Sequence, residues 1–196
     1  MEFTESFSKF TVPGDSITTE IDGLTYTARI EHDVFMGPPW EEHDGHGPVS
    51  DWTTRDSEPG ERILTRDSGH VQYYNYIEAL KIAYRDGWDA PPYGGDKTEQ
   101  AIRAVNAVNA DFSDLQAWCN DEWCWVGIVI SISIDDIVLS ECATSVWGVD
   151  CNHPRSDNGH LTEMANELLS EAVDVGRQLA NNLRARLEGY EILTDD

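Results

Sequence analysis

The sequence predicts an α+β fold in which an antiparallel sheet, built from two β-hairpins, is covered by amphipathic helices. Three observations predict it. Alternating β-branched runs flank tight-turn dipeptides at about residues 17–31 and 123–147, apolar residues recur at helical spacing between those runs, and an amphipathic stripe occupies the C-terminal segment. With 196 residues, of which 40% are hydrophobic, the chain is interpreted as a single acidic domain over 1–196.

The first hairpin is predicted from short alternating runs on either side of an Asp-Gly pair. The runs are Ile17 to Ile21 and Leu24 to Glu31, and Asp22-Gly23 between them is typical of a two-residue hairpin turn. Each run is therefore expected to form one strand.

A long loop is predicted at about residues 32–69, where the sequence lacks periodicity and is rich in charge, Gly and Pro. A short strand around Arg62 to Leu64 is expected to interrupt it. Ordered loops of this length are uncommon in compact domains and are often functional, so this loop is the first candidate for a site.

Three helices are predicted between the loop and the second hairpin. Helical spacing of apolar residues over 72–86 ends at Gly87, a typical C-terminal stop. After a break at residues 91–95, Asp96 and Glu99 form a capping pair for a helix to about Asn109. A short third helix is expected from Ser113 to Asn120.

The second hairpin is predicted from Trp123 to Ile134, a turn at Asp135-Asp136, and a strand from Ile137 to Trp147. One face of the first strand is apolar, as expected for a sheet covered on one side. Its members are Val126, Ile128, Ile130, Ile132 and Ile134.

The C-terminal segment from Leu161 to about Leu187 is predicted to form one long helix. Its apolar stripe consists of Leu161, Ala165, Leu168, Ala172, Val175 and Leu179. Glu163, Glu167, Glu171 and Asp174 lie away from that stripe. Burial against the chain's own sheet is favoured over pairing with a partner helix.

The charge balance is the strongest compositional feature. Thirteen Lys and Arg oppose 37 Asp and Glu, which gives a net charge of -24. Such a surface repels phosphates, so direct binding to nucleic acid or to an anionic membrane is disfavoured and a basic protein or nucleoprotein is the expected partner. A row of carboxylates can resemble the phosphates of DNA; the alternative explanation of the acidity is adaptation to salt.

Localisation is predicted from what the sequence lacks. The N-terminal segment MEFTESFSKF has no signal-peptide pattern, and no run of about 18 apolar residues occurs. A cytoplasmic protein is expected, with reduced cysteines. Its oligomeric state is left open, a homodimer included.

Metal and nucleophile chemistry have weaker signals. His43, Asp44, His46 and Asp51 are of metal-ligand type, but their spacing matches no defined motif, and a solvated acidic loop is the favoured interpretation. Four cysteines and one histidine are candidates for zinc, although their tryptophan-rich surroundings favour buried thiols. They are Cys119, Cys124, Cys142, Cys151 and His153. No strand-turn-helix elbow surrounds Ser50, so neither a catalytic residue nor a cofactor is predicted.

Several segments resemble small acidic proteins encoded in bacteriophage and prophage genomes. They are Asp44 to Trp52 (DGHGPVSDW), Pro59 to Arg62 (PGER), the Tyr-Tyr, Glu-Ala, Ile-Ala and Arg-Asp-Gly-Trp groups of 73–88, Ser145 to Gly148, and the acidic helix after His160. The resemblance covers about two thirds of the chain and carries over no catalytic residue. It implies a phage origin.

Together, charge and resemblance predict a non-enzymatic inhibitor of a host restriction or CRISPR-type effector, acting through an acidic, DNA-mimicking surface. The residues expected to contact the effector are Glu41, Glu42, Asp44, Asp51, Asp56, Glu58, Glu61, Glu163, Glu167 and Glu171. The alternatives are a metal-dependent hydrolase or nuclease that uses the His/Asp loop, and a salt-adapted phage protein with a structural or regulatory role.

Overall fold

The structure is a computed structural model that describes the backbone of residues 1–89 and 96–191 and the side chains up to residue 188. It is a mixed α+β fold with antiparallel sheets, as the sequence predicts. The chain groups into two compact units, each with its own hydrophobic core: unit 1 comprises residues 1–34 and 124–196, and unit 2 comprises residues 35–123.

The elements follow one another in the order β1 (Ser16–Ile21), β2 (Leu24–His32), α1 (Pro39–Glu42), β3 (Glu61–Asp67), β4 (His70–Asn75), α2 (Tyr76–Asp86), α3 (Lys97–Cys119), β5 (Cys124–Ile134), β6 (Ile137–Cys151) and α4 (Gly159–Glu191). None of the helices within these described residues is long and apolar enough to cross a membrane.

Unit 1 is a four-stranded antiparallel sheet in the order β1-β2-β5-β6, so both predicted hairpins are confirmed. Both turns have left-handed backbone at their two central residues, with φ of 56° and 77° at Asp22 and Gly23, and 45° and 65° at Asp135 and Asp136. This conformation matches the twist of the flanking strands, and Asp and Gly tolerate it better than branched residues.

The core of unit 1 lies between α4 and the sheet. The predicted apolar face of β5 is fully buried at Val126, Ile128, Ile130 and Ile132, whereas Ile134 at the end of the strand is 37% exposed. α4 buries Leu161, Ala165, Leu169, Ala172 and Val173 against the sheet, and three further members of the predicted stripe are partly buried and pack against the same core: Leu168, Val175 and Leu179. Each large side chain buried in this way contributes roughly 1.5–3 kcal/mol.

α4 packs closely on β2 at Gly176. A Cβ at this position would overlap the hydroxyl of Tyr26, which is fully buried and has no hydrogen-bond partner among the described residues. A glycine in the middle of a helix ordinarily costs about 1 kcal/mol relative to alanine. Here the missing side chain permits the close approach of helix and strand.

β6 extends to Cys151, beyond the predicted end at Trp147. It has 15 residues and pairs from end to end with the 11 residues of β5, and the register shifts at three places. These irregularities leave extra residues on β6, which break the alternation of buried and exposed positions. At one of them, the Gly148 N–H donates to the buried carboxylate of Asp33 at 3.0 Å.

Unit 2 corrects the predicted helix over 72–86. Residues up to Asn75 form strand β4, and α2 begins at Tyr76, where the Asn75 side chain accepts a hydrogen bond from the Glu78 N–H at 3.0 Å. The predicted stop at Gly87 is confirmed, with φ of 70°. β4 pairs with β3 on one side, and residues 49–53 bridge to it on the other.

α3 corrects the two helices predicted over 96–120. A single helix runs from Lys97 to Cys119, and Asp96 caps it by accepting from the N–H groups of Thr98 and Glu99, as predicted. The predicted break at residues 91–95 lies outside the described residues. Asp111, at the point where a gap was expected, is buried in the helix.

Candidate functional site

A buried carboxylate joins three segments of unit 2. Asp111 of α3 has Oδ1 at 2.6 Å from Nδ1 of His46, while its Oδ2 accepts from the Gly47 N–H at 2.8 Å and from the Tyr74 hydroxyl at 2.6 Å. The Asp111 side chain is 8% exposed. Because each of its oxygens is paired, the cost of burying this carboxylate is offset by strong hydrogen bonds.

Gly47 and Tyr74 hold this arrangement in place. A Cβ at Gly47 would overlap the Tyr74 hydroxyl and lie 2.7 Å from the Cβ of Ala79, so no other residue fits there without displacing them. Burial, together with the hydrogen bond to Asp111, raises the pKa of Tyr74 above its usual value. The phenol therefore remains a hydrogen-bond donor across the physiological pH range.

His46 links this buried network to the surface. Its side chain is 25% exposed, and it lines a hollow of about 390 Å³ together with Trp40, Glu41, Ser50 and Gln72. Because Nδ1 is directed at Asp111, the arrangement that fits best places a hydrogen on Nδ1, which donates to that carboxylate. A carboxylate that orients an imidazole in this way is common where histidine acts as a base or a ligand.

The backbone places the walls of this hollow side by side. Residues 48–53 run antiparallel to β4, with the Ser50 N–H donating to the Tyr73 carbonyl and the Asn75 N–H donating to the Pro48 carbonyl, both at 2.8 Å. This pairing sets Ser50 and Asp51 beside Gln72. A second hollow of about 370 Å³ shares Trp40, Glu41, Asp51 and Gln72 and adds three further residues. They are Pro38, Trp52 and Trp118.

The four metal candidates do not come together. His46 and Asp51 line the same hollow, but His43 and Asp44 are exposed and do not line it, and His46 pairs with Asp111. Among the described residues, no group of three or more His, Cys, Asp or Glu is arranged to hold a metal ion. The expectation that the protein binds no metal stays a prediction.

The cysteines are free thiols. Cys124 and Cys151 are opposite each other on β5 and β6, Cys142 of β6 is exposed, and Cys119 belongs to unit 2. Burial raises the pKa of Cys151 to about 12 and that of Cys119 to about 11, so both thiols are poor nucleophiles.

Ser50 is held in backbone hydrogen bonds. Its Oγ accepts from the Tyr73 N–H at 2.9 Å and donates to the Asp51 carbonyl at 2.9 Å. Both contacts position the loop against β4. No catalytic base within the described residues is hydrogen-bonded to this hydroxyl.

The loop acids predicted to contact a partner divide into free and engaged groups. The exposed members are Glu41, Glu42, Asp44, Asp51, Asp56 and Glu58. Glu61 is engaged: Arg55 binds both of its oxygens, at 2.6 and 2.7 Å, and this guanidinium holds the pKa of Glu61 below its usual value. Because Arg55 binds both of its oxygens, Glu61 is a structural residue. Among the exposed acids, Glu42 accepts a hydrogen bond from the Gly37 N–H at 2.9 Å.

The helix acids form a regular row in unit 1. Glu163, Glu167 and Glu171 are all exposed on α4, and their spacing of four residues corresponds to about 6 Å along the helix axis. Within the described residues none of the three forms an ion pair, although Glu171 accepts from the Thr144 hydroxyl at 3.2 Å. Asp174, the next acid along the row, pairs with Arg177.

Sequence reasoning missed the buried half of the site. Asp111 was placed between two helices, and Gln72 and Tyr74 were placed on a helix. The Asp44-Gly45-His46-Gly47 stretch carried a usable signal, since glycines beside a histidine often mark close backbone approach. The partner carboxylate of Asp111, 65 residues away along the chain, has no sequence signal that links it to His46.

No protein-family model, curated protein or solved structure matches this chain. The candidate site is therefore interpreted from its own residues, and no family is assigned.

Proposed function

We propose that the protein is a phage-encoded, non-enzymatic inhibitor that binds a host restriction or CRISPR-type effector through its acidic surface, in place of DNA. The observation that carries this proposal is the row of Glu163, Glu167 and Glu171, exposed and without basic partners among the described residues. On a chain with a net charge of -24, this row presents a fixed line of negative charge.

The rigidity of the row supports mimicry of a DNA strand, although its carboxylates are spaced more widely along the axis than the phosphates of one strand. B-DNA carries a phosphate every 3.4 Å of axis per strand, and the row carries a carboxylate about every 6 Å. The row lies on the part of α4 whose opposite face is buried, so its spacing is set by packing. A cationic DNA channel would attract such a line strongly at low salt.

A metal-dependent hydrolase built on His43, Asp44, His46 and Asp51 is not proposed as a second function, because His46 pairs with Asp111 and no metal-binding group occurs among the described residues. The exposed loop acids Glu41, Glu42 and Asp44 remain a second candidate contact for the effector.

The proposal is tested by cleavage assays with purified type I restriction and Cas9-type nucleases, with the protein added before DNA. Inhibition should be competitive with DNA and should weaken as salt rises. The triple variant Glu163→Lys, Glu167→Lys, Glu171→Lys should weaken inhibition by at least about tenfold, which corresponds to about 1.4 kcal/mol.

The matched control is Glu5→Lys, Glu20→Lys, Asp67→Lys, which changes the net charge equally at exposed positions outside α4. A control as damaging as the row variant would mean that net charge acts without the geometry of the row. The absence of inhibition across the nuclease panel would count against the proposed function.

A further inference from the structure

The two hollows of unit 2 form one groove with an aromatic and acidic lining. They share Trp40, Glu41, Asp51 and Gln72 and extend to Trp52 and Trp118. We call these six residues the tryptophan groove. All six residues belong to unit 2, whereas the acidic row on α4 belongs to unit 1.

The tryptophans of the groove are incompletely buried. Trp52 is 48% exposed, and Trp40 meets Trp118 edge to face, with ring centroids 5.5 Å apart at an angle of 82°. An indole face that stays in contact with solvent is a good receptor for a cation, because the ring quadrupole presents negative potential above its plane.

The carboxylates of the groove are not neutralised. Glu41 and Asp51 are exposed, and neither forms an ion pair among the described residues. No Lys or Arg lines either hollow. The groove therefore places negative charge next to aromatic surface, which favours a cationic ligand over an anionic one.

Gln72 contributes a side-chain carbonyl oxygen that receives no hydrogen bond from the described residues. The residue is 7% exposed and lines both hollows, and its Nε2 donates to the Ser50 carbonyl at 3.2 Å. Its Oε1 accepts no hydrogen bond from the described residues. Because this oxygen is open to the groove and free to accept, an occupant that carries N–H groups can bond to it.

We propose that the tryptophan groove binds a guanidinium group. A guanidinium is planar and stacks on indole, and it offers five N–H donors, enough for both carboxylates and the Gln72 carbonyl together. An alkylammonium supplies the charge but has three donors and no flat face, so it satisfies the groove less completely. The guanidinium belongs either to an arginine side chain of a polypeptide or to a small guanidino compound.

Binding is tested by NMR titration of the indole N–H signals with Nα-acetyl-arginine amide. The signals of Trp40, Trp52 and Trp118 should shift, and that of Trp147, exposed in unit 1, should not. The neutral isostere Nα-acetyl-citrulline amide and the lysine analogue should each bind at least about tenfold more weakly. Equal shifts with citrulline, or no shift at tens of millimolar arginine amide, would overturn the proposal.

Variants locate the site. Asp51→Asn and Trp52→Leu should each weaken binding by about tenfold, because each removes one recognition group at an exposed position. The matched controls Asp67→Asn and Trp147→Leu should leave it unchanged. Unaltered binding in Asp51→Asn would contradict the assignment even if arginine amide binds elsewhere.

A final comparison separates the two sources of the guanidinium. Agmatine represents a small guanidino compound, and the peptide Gly-Gly-Arg-Gly-Gly represents an arginine within a polypeptide. Tighter binding of the peptide indicates an arginine side chain, and tighter binding of agmatine indicates a small ligand; either result supports guanidinium recognition. These binding measurements do not depend on nuclease inhibition. Either proposal can therefore be refuted while the other stands.

Discussion

The carboxylate of Asp111 lies 2.6 Å from Nδ1 of His46, a residue 65 positions earlier in the chain. The contact fixes the loop after α1 to the middle of α3, next to the tryptophan groove. It also explains how a loop rich in glycine and charge is held in one conformation.

Asp111→Asn should destabilise the protein by about 2–4 kcal/mol, because the amide has no charge and must turn its NH2 either toward Nδ1–H of His46 or toward the donors of Gly47 and Tyr74. Urea unfolding followed by circular dichroism measures this change. Asp67→Asn, at an exposed position, should change the free energy of unfolding by less than about 0.5 kcal/mol. Equal effects of the two variants would mean that the Asp111 network contributes nothing to stability.

Gly176→Ala should destabilise the protein by about 1–3 kcal/mol, although alanine is the better helix former, because its Cβ would overlap the Tyr26 hydroxyl. Tyr26→Phe removes a buried hydroxyl without a partner and should be neutral or stabilising. In that background Gly176→Ala should cost less.

The measurement for this pair is a double-mutant cycle of unfolding free energies. Ala180→Gly, at an exposed position of the same helix, calibrates the intrinsic cost of glycine. A stabilising Gly176→Ala would show that α4 and β2 are not in close contact there.

Stability should fall as the pH rises above about 9. Burial raises the pKa of Cys151 to about 12 and that of Cys119 to about 11, above the pKa of about 8.5 expected for a solvated thiol in the unfolded chain. Between these values the unfolded chain loses protons that the folded chain retains, so unfolding is favoured. The raised pKa of Tyr74 acts in the same direction above about 10.

The urea midpoint measured from pH 8 to pH 10.5 checks this prediction. The double variant Cys119→Ala, Cys151→Ala should lose part of the pH dependence, whatever its stability at pH 8. A midpoint independent of pH in the parent protein would contradict the burial of these thiols.

Salt should stabilise the protein up to moderate concentration and then have little further effect. Repulsion within a chain of net charge -24 is screened as the Debye length falls from about 10 Å at 0.1 M to about 3 Å at 1 M. The thermal midpoint in KCl should therefore level off near 1 M. A steep gain continuing to several molar would instead favour salt adaptation as the origin of the acidity.

Much of unit 1 could be predicted from the sequence because its signals are local. Asp22-Gly23 and Asp135-Asp136 specify their own turns, and the stripe on α4 follows from helical spacing alone. The end of β6 could not be predicted, since its extra residues break the alternation on which strand prediction depends.

Unit 2 was predicted less well because tertiary contacts override its local preferences. Tyr73 and Tyr74 have both helical spacing and high β propensity. Hydrogen-bonded pairing with β3 and with residues 49–53 stabilises the strand conformation. Asn109, Asp111 and Ser113 are weak helix formers that predicted a gap, yet Asp111 is held by contacts from two other segments.

The irregular pairing of β6 affects the tendency of the protein to aggregate at high concentration. β6 is one edge of the sheet within the described residues, and edge strands are where further chains can add and begin a fibril. Templated addition needs evenly spaced donors and acceptors, and the bulges of β6 interrupt that spacing. The edge that a long apolar hairpin exposes is thereby made a poor seed for aggregation.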